Sequence, residues 1–303
     1  GSEMCIRDSR IAQKRQRNDY AKIQDVLMKN LRIIDQAVQN KGQVIGLPTG
    51  FKQLDEKTSG LQPSDLIIVA ARPGMGKTAF ALNIAQQSAV KAGASVLIFS
   101  LEMSQEQLGQ RLIAMQARVE SEKLKKGTLD LKDWDRINFA LNELNNTKIV
   151  IDDTPGISIM EMRNKCRRLK AEQGLDLIVV DYLQLMTFDG RADSRQQEIS
   201  ALSRHLKLLA REMNCPVIVL SQLSRAPELR QDKRPMLSDL RESGSIEQDA
   251  DIVMFLYRDD YYNENTEKPG VCEINIAKHR SGPTDRIDLT WVARYTKFSD
   301  KAL

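Results

Sequence analysis

The run Leu66-Ile67-Ile68-Val69-Ala70 empties into Ala71-Arg72-Pro73-Gly74-Met75-Gly76-Lys77-Thr78, and this junction restricts the fold more than any other stretch of the chain. A short apolar run ahead of a glycine-rich turn predicts a strand buried on both faces. The apolar helical stretch Ala79–Ala89 behind the turn completes a strand, phosphate-wrapping loop and helix. In that layout, loop N–H groups and the positive end of the helix face phosphate oxygens. Lys77 is expected to reach the β- and γ-phosphates of a nucleoside triphosphate, and Thr78 to set its hydroxyl on Mg²⁺. Arg72, Pro73, Gly74, Met75, Gly76 and Ala79 shape the rest of the cradle. The usual first glycine is replaced by Ala71, which fits only where the backbone need not take a positive φ.

With 303 residues the chain can bury the core of one large α/β domain. No apolar run is long enough to span a bilayer. Cys5, Cys166, Cys215 and Cys272 are scattered with no C-x-x-C pair, which argues against a disulfide framework or a zinc site and fits a reducing compartment. The only histidines, His205 and His279, exclude a histidine-rich metal centre. A net charge of +4 does not by itself imply a nucleic-acid partner.

Gly1–Ser9, reading GSEMCIRDS, has no apolar period and no signal-peptide layout, and is expected to be a leader foreign to the fold. Between Asp19 and Asn40, Ile23, Val26, Leu27, Leu31, Ile34 and Val38 fall on one face of a helix. That face packs either on its own domain or on something else. Beyond it, apolar strands alternate with helical runs. Strands are expected at 65–71, 95–100, 148–152, 175–181 and 216–221, and helices at 78–91, 104–118, 130–145, 158–172 and 195–213. This alternation predicts a mostly parallel twisted sheet with helices on both faces. Three later strands, 251–257, 271–278 and 286–292, are expected to form an antiparallel extension.

Leu177-Ile178-Val179-Val180-Asp181 predicts a central strand delivering a carboxylate at the sheet edge where α/β proteins bind ligands. Asp181 there would hold Mg²⁺, through water. Glu102, just past Phe99-Ser100-Leu101, is placed to orient and deprotonate an attacking water, or else to open the following helix as a cap. Gln222 ends the strand Val217–Ser221 and could sense a γ-phosphate. After it come Arg225, Arg230, Lys233, Arg234 and Arg241 with almost no aromatics. This pattern fits contact with a nucleic-acid backbone, or simply a solvated surface. Gly244 allows close backbone approach. Lys278 and Arg280 close a late strand far from the phosphate loop. They are expected either to serve a neighbouring subunit's site or to form a surface ion pair.

The order of Arg72-Pro73-Gly74-Met75-Gly76-Lys77-Thr78, Ser100-Leu101-Glu102-Met103, Val180-Asp181-Tyr182-Leu183-Gln184-Leu185-Met186, Ser221-Gln222-Leu223-Ser224-Arg225, Leu240-Arg241-Glu242-Ser243-Gly244, Glu247-Gln248-Asp249-Ala250-Asp251 and Lys278-His279-Arg280 resembles the bacterial replicative DNA helicases of the DnaB family. The resemblance covers about residues 16 to 299. It implies a linker over 16–45 and a RecA-like P-loop motor domain over 46–300 behind a leader of 1–15, with the family's N-terminal collar missing, so that the chain is expected to be a fragment. It further implies a cytoplasmic homo-hexamer that burns ATP or another NTP with Mg²⁺, moves 5′ to 3′ on single-stranded DNA, and works with a primase and a loader but no membrane. On that pattern Glu102 polarises water, Gln222 couples the γ-phosphate to DNA, Arg280 with Lys278 beside it reaches the next subunit's site, and Arg111 touches nucleotide. Arg241, Glu242 and Gly244 grip the DNA backbone. The helix at 19–40 matches a linker helix that docks on the adjacent motor domain. A RecA-like recombinase and a ring-forming ATPase that does not translocate are the rival readings.

Overall fold

The computed structural model describes residues 22–39, 44–188, 190 and 194–301; the side chains at 29, 33, 36–39 and 241–244 lie outside that description, as does the expected leader. Contacts divide the chain into two units, 1–45 and 46–303. The first contains helix α1 (Ile23–Gln39), with Asp25 in its first turn complementing the helix dipole. Ile23, Val26, Leu27, Leu31 and Ile34 of its apolar stripe are exposed. The remaining ends of the expected helix, 19–21 and 40, fall outside the described residues.

The second unit runs α2 (Lys52–Thr58), β1 (Leu66–Ala71), α3 (Lys77–Ala92), β2 (Ser95–Ser100), α4 (Gln105–Ala117), α5 (Ser121–Lys126), α6 (Leu131–Asn145), β3 (Lys148–Asp152), α7 (Ile159–Gln173), β4 (Leu177–Asp181), α8 (Arg195–Met213), β5 (Val217–Gln222), α9 (Gly244–Asp249), β6 (Ile252–Tyr257), β7 (Val271–His279), β8 (Asp285–Val292) and β9 (Lys297–Asp300). The strands form one sheet in the order β3-β2-β4-β5-β1-β6-β7-β8-β9. Strand β1 explains why the core reads as it does. All six of its residues are buried. Ile67, Val69 and Ala71 enter a cluster with Phe80 and Ile84 of α3 and Leu108 and Leu112 of α4. Leu66, Ile68 and Ala70 face the other way, onto Met162 and Cys166 of α7 and Leu202 and Leu206 of α8. A strand covered on both faces has no polar side, hence the unbroken apolar run.

One expectation is corrected. The first of the three late strands, β6, pairs parallel with β1, so the antiparallel extension is β7 to β9. A parallel neighbour needs a crossover from one end of the sheet to the other. Here 3₁₀ turns at Ala226–Leu229 and Leu237–Ser243 and the six-residue α9 make it, with no long helical pattern to announce it. Cys166, Cys215 and Cys272 are free and buried.

Candidate active site

Four parallel strands deliver their C-terminal ends to one edge of the sheet. Ala71 of β1 lies level with Gln222 of β5, and Ser100 of β2 with Asp181 of β4. The loop Arg72–Gly76, Glu102, Asp181 and Gln222 therefore converge, although up to 150 residues separate them in the chain. Ala71 is extended strand, so the missing glycine causes no strain. Two glycines are obligatory. Gly74 has φ +80°, and a Cβ there would meet Tyr261 at 2.8 Å. Gly76 has φ +93°, and a Cβ would lie 3.1 Å from Phe298 of β9. Successive left-handed turns ahead of α3 shape the loop into an anion nest at a helix N-terminus.

A cavity of about 290 Å³ is lined by Arg72, Pro73, Gly74, Gly76, Lys77, Thr78, Ala79, Glu102, Arg111 and Gln222, together with Trp291 and Thr296. Among the residues expected to bind nucleotide, Met75 is the exception. It is buried, and its side chain anchors the loop in the core. The Arg72 side chain is tied down as well: Nε donates to Glu228 at 2.8 Å and Nη1 to the Leu223 carbonyl at 2.7 Å. A second cavity of about 460 Å³ shares Thr78, Glu102, Arg111 and Thr296.

The electrostatics are those of a site built for an anion and a cation together. The Lys77 ammonium sits 4.6 Å from the Tyr182 ring centre. Burial lowers its pKa, against the pull of Asp181 and Glu102. Burial likewise lowers that of Arg111. Burial pushes the Asp181 carboxyl up, opposed by the Thr78 hydroxyl and Lys77. Thr78 Oγ1 donates to Asp181 Oδ2 at 2.7 Å, while the buried Asp181 Oδ1 has no hydrogen-bond partner in the described structure. A carboxylate oxygen left over beside a hydroxyl is the hard donor set Mg²⁺ takes, with water and phosphate completing its shell. Those residues fit that ion. Among the described residues no three His, Cys, Asp or Glu side chains form a cluster that could hold a metal unaided.

Glu102 is not the cap of α4. Ser104 takes that role, its hydroxyl accepting from the Gln107 N–H while Gln107 Oε1 accepts from the Ser104 N–H. Gln222 is held by Gln184, whose Nε2 donates to Ser221 Oγ at 3.0 Å and to the Gln222 carbonyl at 3.3 Å.

Lys278 and Arg280 lie at the opposite edge. His279 of β7 is level with Ile252, the first residue of β6, and Ile252 with Ile67 near the start of β1. From there to Ala71 is four residues, about 13 Å of strand. The Lys278 ammonium donates to the carbonyls of Glu247 (2.5 Å), Gln248 (3.5 Å) and Ala250 (2.8 Å), at the C-terminal end of α9. Arg280 pairs with Asp251 at 3.2 Å. Within one chain Arg280 therefore forms the ion pair, whereas Lys278 meets backbone carbonyls, and the register sets both about the length of β1 away from their own phosphate loop.

Residues 46–300 match the family model described as the DnaB-like helicase C-terminal domain. The chain belongs to that DnaB-like family. It is 54% identical over 95% of its length to the replicative DNA helicase DnaC of Bacillus subtilis, and 53% identical over 95% to DnaB of Geobacillus stearothermophilus. It spans 64% of each of those proteins. Among solved structures, one isolated ATPase domain is similar with a TM-score of 0.89 and 41% identity, over 94% of this chain and all of that one. A DnaB-like replicative helicase studied with primase gives 0.85 and 41%, over 94% and 68%. The fold is the RecA-like one these neighbours share.

Membership of the DnaB-like family does not free every charge in the basic loop. Arg230 is engaged by the buried Asp239, at 3.0 and 2.7 Å. Arg234 is engaged by Glu273, at 2.7 and 2.9 Å. Lys233 lies 4.7 Å from the Tyr262 ring centre. These three support the loop and leave Arg225, among the described side chains, as its candidate for phosphate. Arg241, Glu242 and Gly244 sit where the second 3₁₀ turn passes into α9; their side chains lie outside the described residues.

Glu273 also receives Lys268 at 3.1 Å and Arg286 at 3.4 Å. The Arg234 hydrogen bonds, with help from Lys268, lower its pKa from 4.5 to about 2. A depressed carboxyl contributes stability above its unfolded value and loses it as the pH falls through the folded value. Glu273→Gln is accordingly expected to cost about 3 kcal/mol at neutral pH. It should also flatten the acid-side loss between about pH 4.5 and 2, as read by urea melts across that range. A wild-type-like acid limb would show the cluster to be energetically idle.

Several contributors were not apparent from sequence: Trp291 and Thr296 in the cavity wall, Tyr182 beneath Lys77, and Arg258, whose Nη1 donates to the Gly74 carbonyl at 3.3 Å. Only Tyr182 carried a signal, standing next to Asp181.

Proposed function

We propose that this chain is the ATP-driven motor of a replicative DNA helicase, with hydrolysis at the seam between two copies. The observation that carries the reading is the split geometry: Lys77, Thr78, Glu102, Asp181 and Gln222 share one sheet edge, while Arg280 is at the other. Lys77 and the N–H groups around Gly74 and Gly76 bind the triphosphate. Thr78 and Asp181 would hold Mg²⁺, which supplies charge neutralisation at the phosphates. Glu102 orients water and accepts its proton. Gln222, fixed by Gln184, senses the γ-phosphate and hands its loss to the segment leading to Arg241, Glu242 and Gly244. Arg280 of a neighbouring copy neutralises charge developing on the transferred phosphoryl group, with Lys278 beside it.

Assembly into a hexameric ring, 5′ to 3′ movement on single-stranded DNA, a cytoplasmic setting, and work with a primase and loader belong to this same proposal. The exposed stripe of α1 suits docking on another copy. No described helix is long and apolar enough to cross a membrane.

The test is ATP hydrolysis with and without single-stranded DNA, followed by unwinding of a fork. A motor shows DNA-stimulated turnover and fork opening. Stimulation with strand pairing in place of opening would make it a recombinase, and no stimulation a ring-forming ATPase that does not translocate. Arg241→Ala is expected to weaken binding to all DNA sequences alike and to reduce the salt slope by about one. An unchanged slope would place the DNA contact elsewhere.

A further inference from the structure

We propose that Asp251 is the positioning residue for Arg280, fixing its guanidinium for delivery to a neighbouring copy; the inference rests on the shared-site reading above. Asp251 stands just ahead of β6, and its side chain is 8% exposed. Each of its oxygens is committed. Oδ2 accepts the Leu66 N–H at 2.8 Å and contacts the Lys207 ammonium, while Oδ1 accepts Arg280 Nη1 at 3.2 Å. Its main chain takes part too, since the Asp251 carbonyl accepts the Arg280 N–H at 2.8 Å and the Asp251 N–H donates to the Leu66 carbonyl at 2.9 Å. Arg280 Nη2 donates to the Gln248 carbonyl at 3.1 Å.

Arg280 is thus held at its backbone and at two guanidinium nitrogens, yet its side chain is 54% exposed. Of the five N–H donors on a guanidinium, two are used inside the chain and three remain. An ordinary surface arginine gives up several rotamers to meet a phosphate; this one has given them up already. The anchor is rooted in the sheet, because the same carboxylate binds the first residue of β1. It also adjoins α9, because Gln248 carries both the Arg280 and the Lys278 contacts. Lys207 has its own second acceptor, the Ser64 carbonyl at 2.7 Å. It therefore does not depend on Asp251 alone, whereas the Nη1 end of Arg280 does.

Charge matters as well as shape. Two cations pair directly with the Asp251 carboxylate, and Asp65 also acts on both, so Asp251→Asn removes the contacting counter-charge of each and leaves the Asp65 carboxyl nearby. An amide has only one acceptor oxygen; if that oxygen serves Leu66 and Lys207, Arg280 faces a donor. D251N is expected to leave the affinity for a fluorescent non-hydrolysable ATP analogue within about twofold. It should lower kcat ~10–100-fold, the cost of an ångström-scale misplacement, with KM little changed. Lys207→Gln, which strips the other cation from Asp251 without touching Arg280, is expected to keep kcat within about twofold. A fall as large as that of D251N would overturn the inference.

The deciding experiment mixes chains. In co-assemblies of Lys77→Ala and Arg280→Ala chains, working sites draw the phosphate loop from the second chain and the arginine from the first. Placing D251N on the Lys77→Ala chain is expected to lower the recovered turnover by the same ~10–100-fold. Placing it on the Arg280→Ala chain is expected to leave recovery intact. Equal loss in both arrangements, or loss in neither, overturns Asp251 as a positioning residue while the shared site stands. If the two parent chains co-assemble and recover no turnover, the shared site itself fails and the inference with it. Should D251N not fold, Asp251→Glu keeps the charge but moves it by one methylene, and the same asymmetry is expected of it.

Discussion

Lys77→Ala is expected to weaken triphosphate binding by ~10²–10⁴-fold and to leave no measurable turnover. The size follows from what the ammonium has before and after a phosphate arrives. Without one, Lys77 is buried over the Tyr182 ring, with burial lowering its pKa and only the more distant charges of Asp181 and Glu102 opposing that. Two phosphate groups would supply charge-assisted hydrogen bonds worth about 1.5–3 kcal/mol each, and every 1.4 kcal/mol is tenfold in affinity. The fold should be unaffected, because removing a buried cation that has no close ion-pair partner among the described residues relieves desolvation instead of exposing a new charge. A fluorescent ATP titration beside a thermal melt separates the two effects. Tight binding retained by a folded K77A chain would remove the loop from the mechanism.

How much of this was legible in the chain depended on whether a residue's partner was implied by its own neighbourhood. Strands β1, β4 and β5 announce themselves because burial on both faces leaves nothing polar to interrupt them. The loop announces itself because Gly74 and Gly76 combine positive φ with little room for a Cβ beside Tyr261 and Phe298. Strand β9 does not, since Lys297-Phe298-Ser299-Asp300 has one apolar residue; yet that Phe298 is what closes behind Gly76. The parallel run of β6 was hidden by a crossover with no helical period. The loop cations misled for a different reason. Counting Arg230 and Arg234 as free charge ignores Asp239, nine residues from the first, and Glu273, thirty-nine residues from the second. Asp251 was in view as part of a motif, but its pairing with Arg280 spans twenty-nine residues and exists only because β6 and β7 lie side by side.

Arg280→Ala should behave in the opposite way to K77A, with nucleotide affinity nearly unchanged and turnover lowered by ~10³–10⁵-fold, the range over which a donated arginine acts in phosphoryl transfer. The contrast follows from the sheet. Register puts Arg280 level with the start of β1, and the phosphate loop begins at its end, so no side-chain rotation brings the two together within one copy. Its ground-state partners, Asp251 and the Gln248 carbonyl, are in the same chain and do not touch nucleotide. Removing Arg280 therefore takes nothing from a triphosphate bound at its own loop. It removes only charge that a neighbour would meet as the phosphoryl group leaves, and stabilisation confined to the transition state appears in kcat, not in binding. Single-turnover hydrolysis at saturating nucleotide, beside an equilibrium titration, reads the two quantities separately. A kcat within about threefold of wild type in assembled R280A would return Arg280 to the role of a surface ion pair, worth about 0–1 kcal/mol and nothing to catalysis.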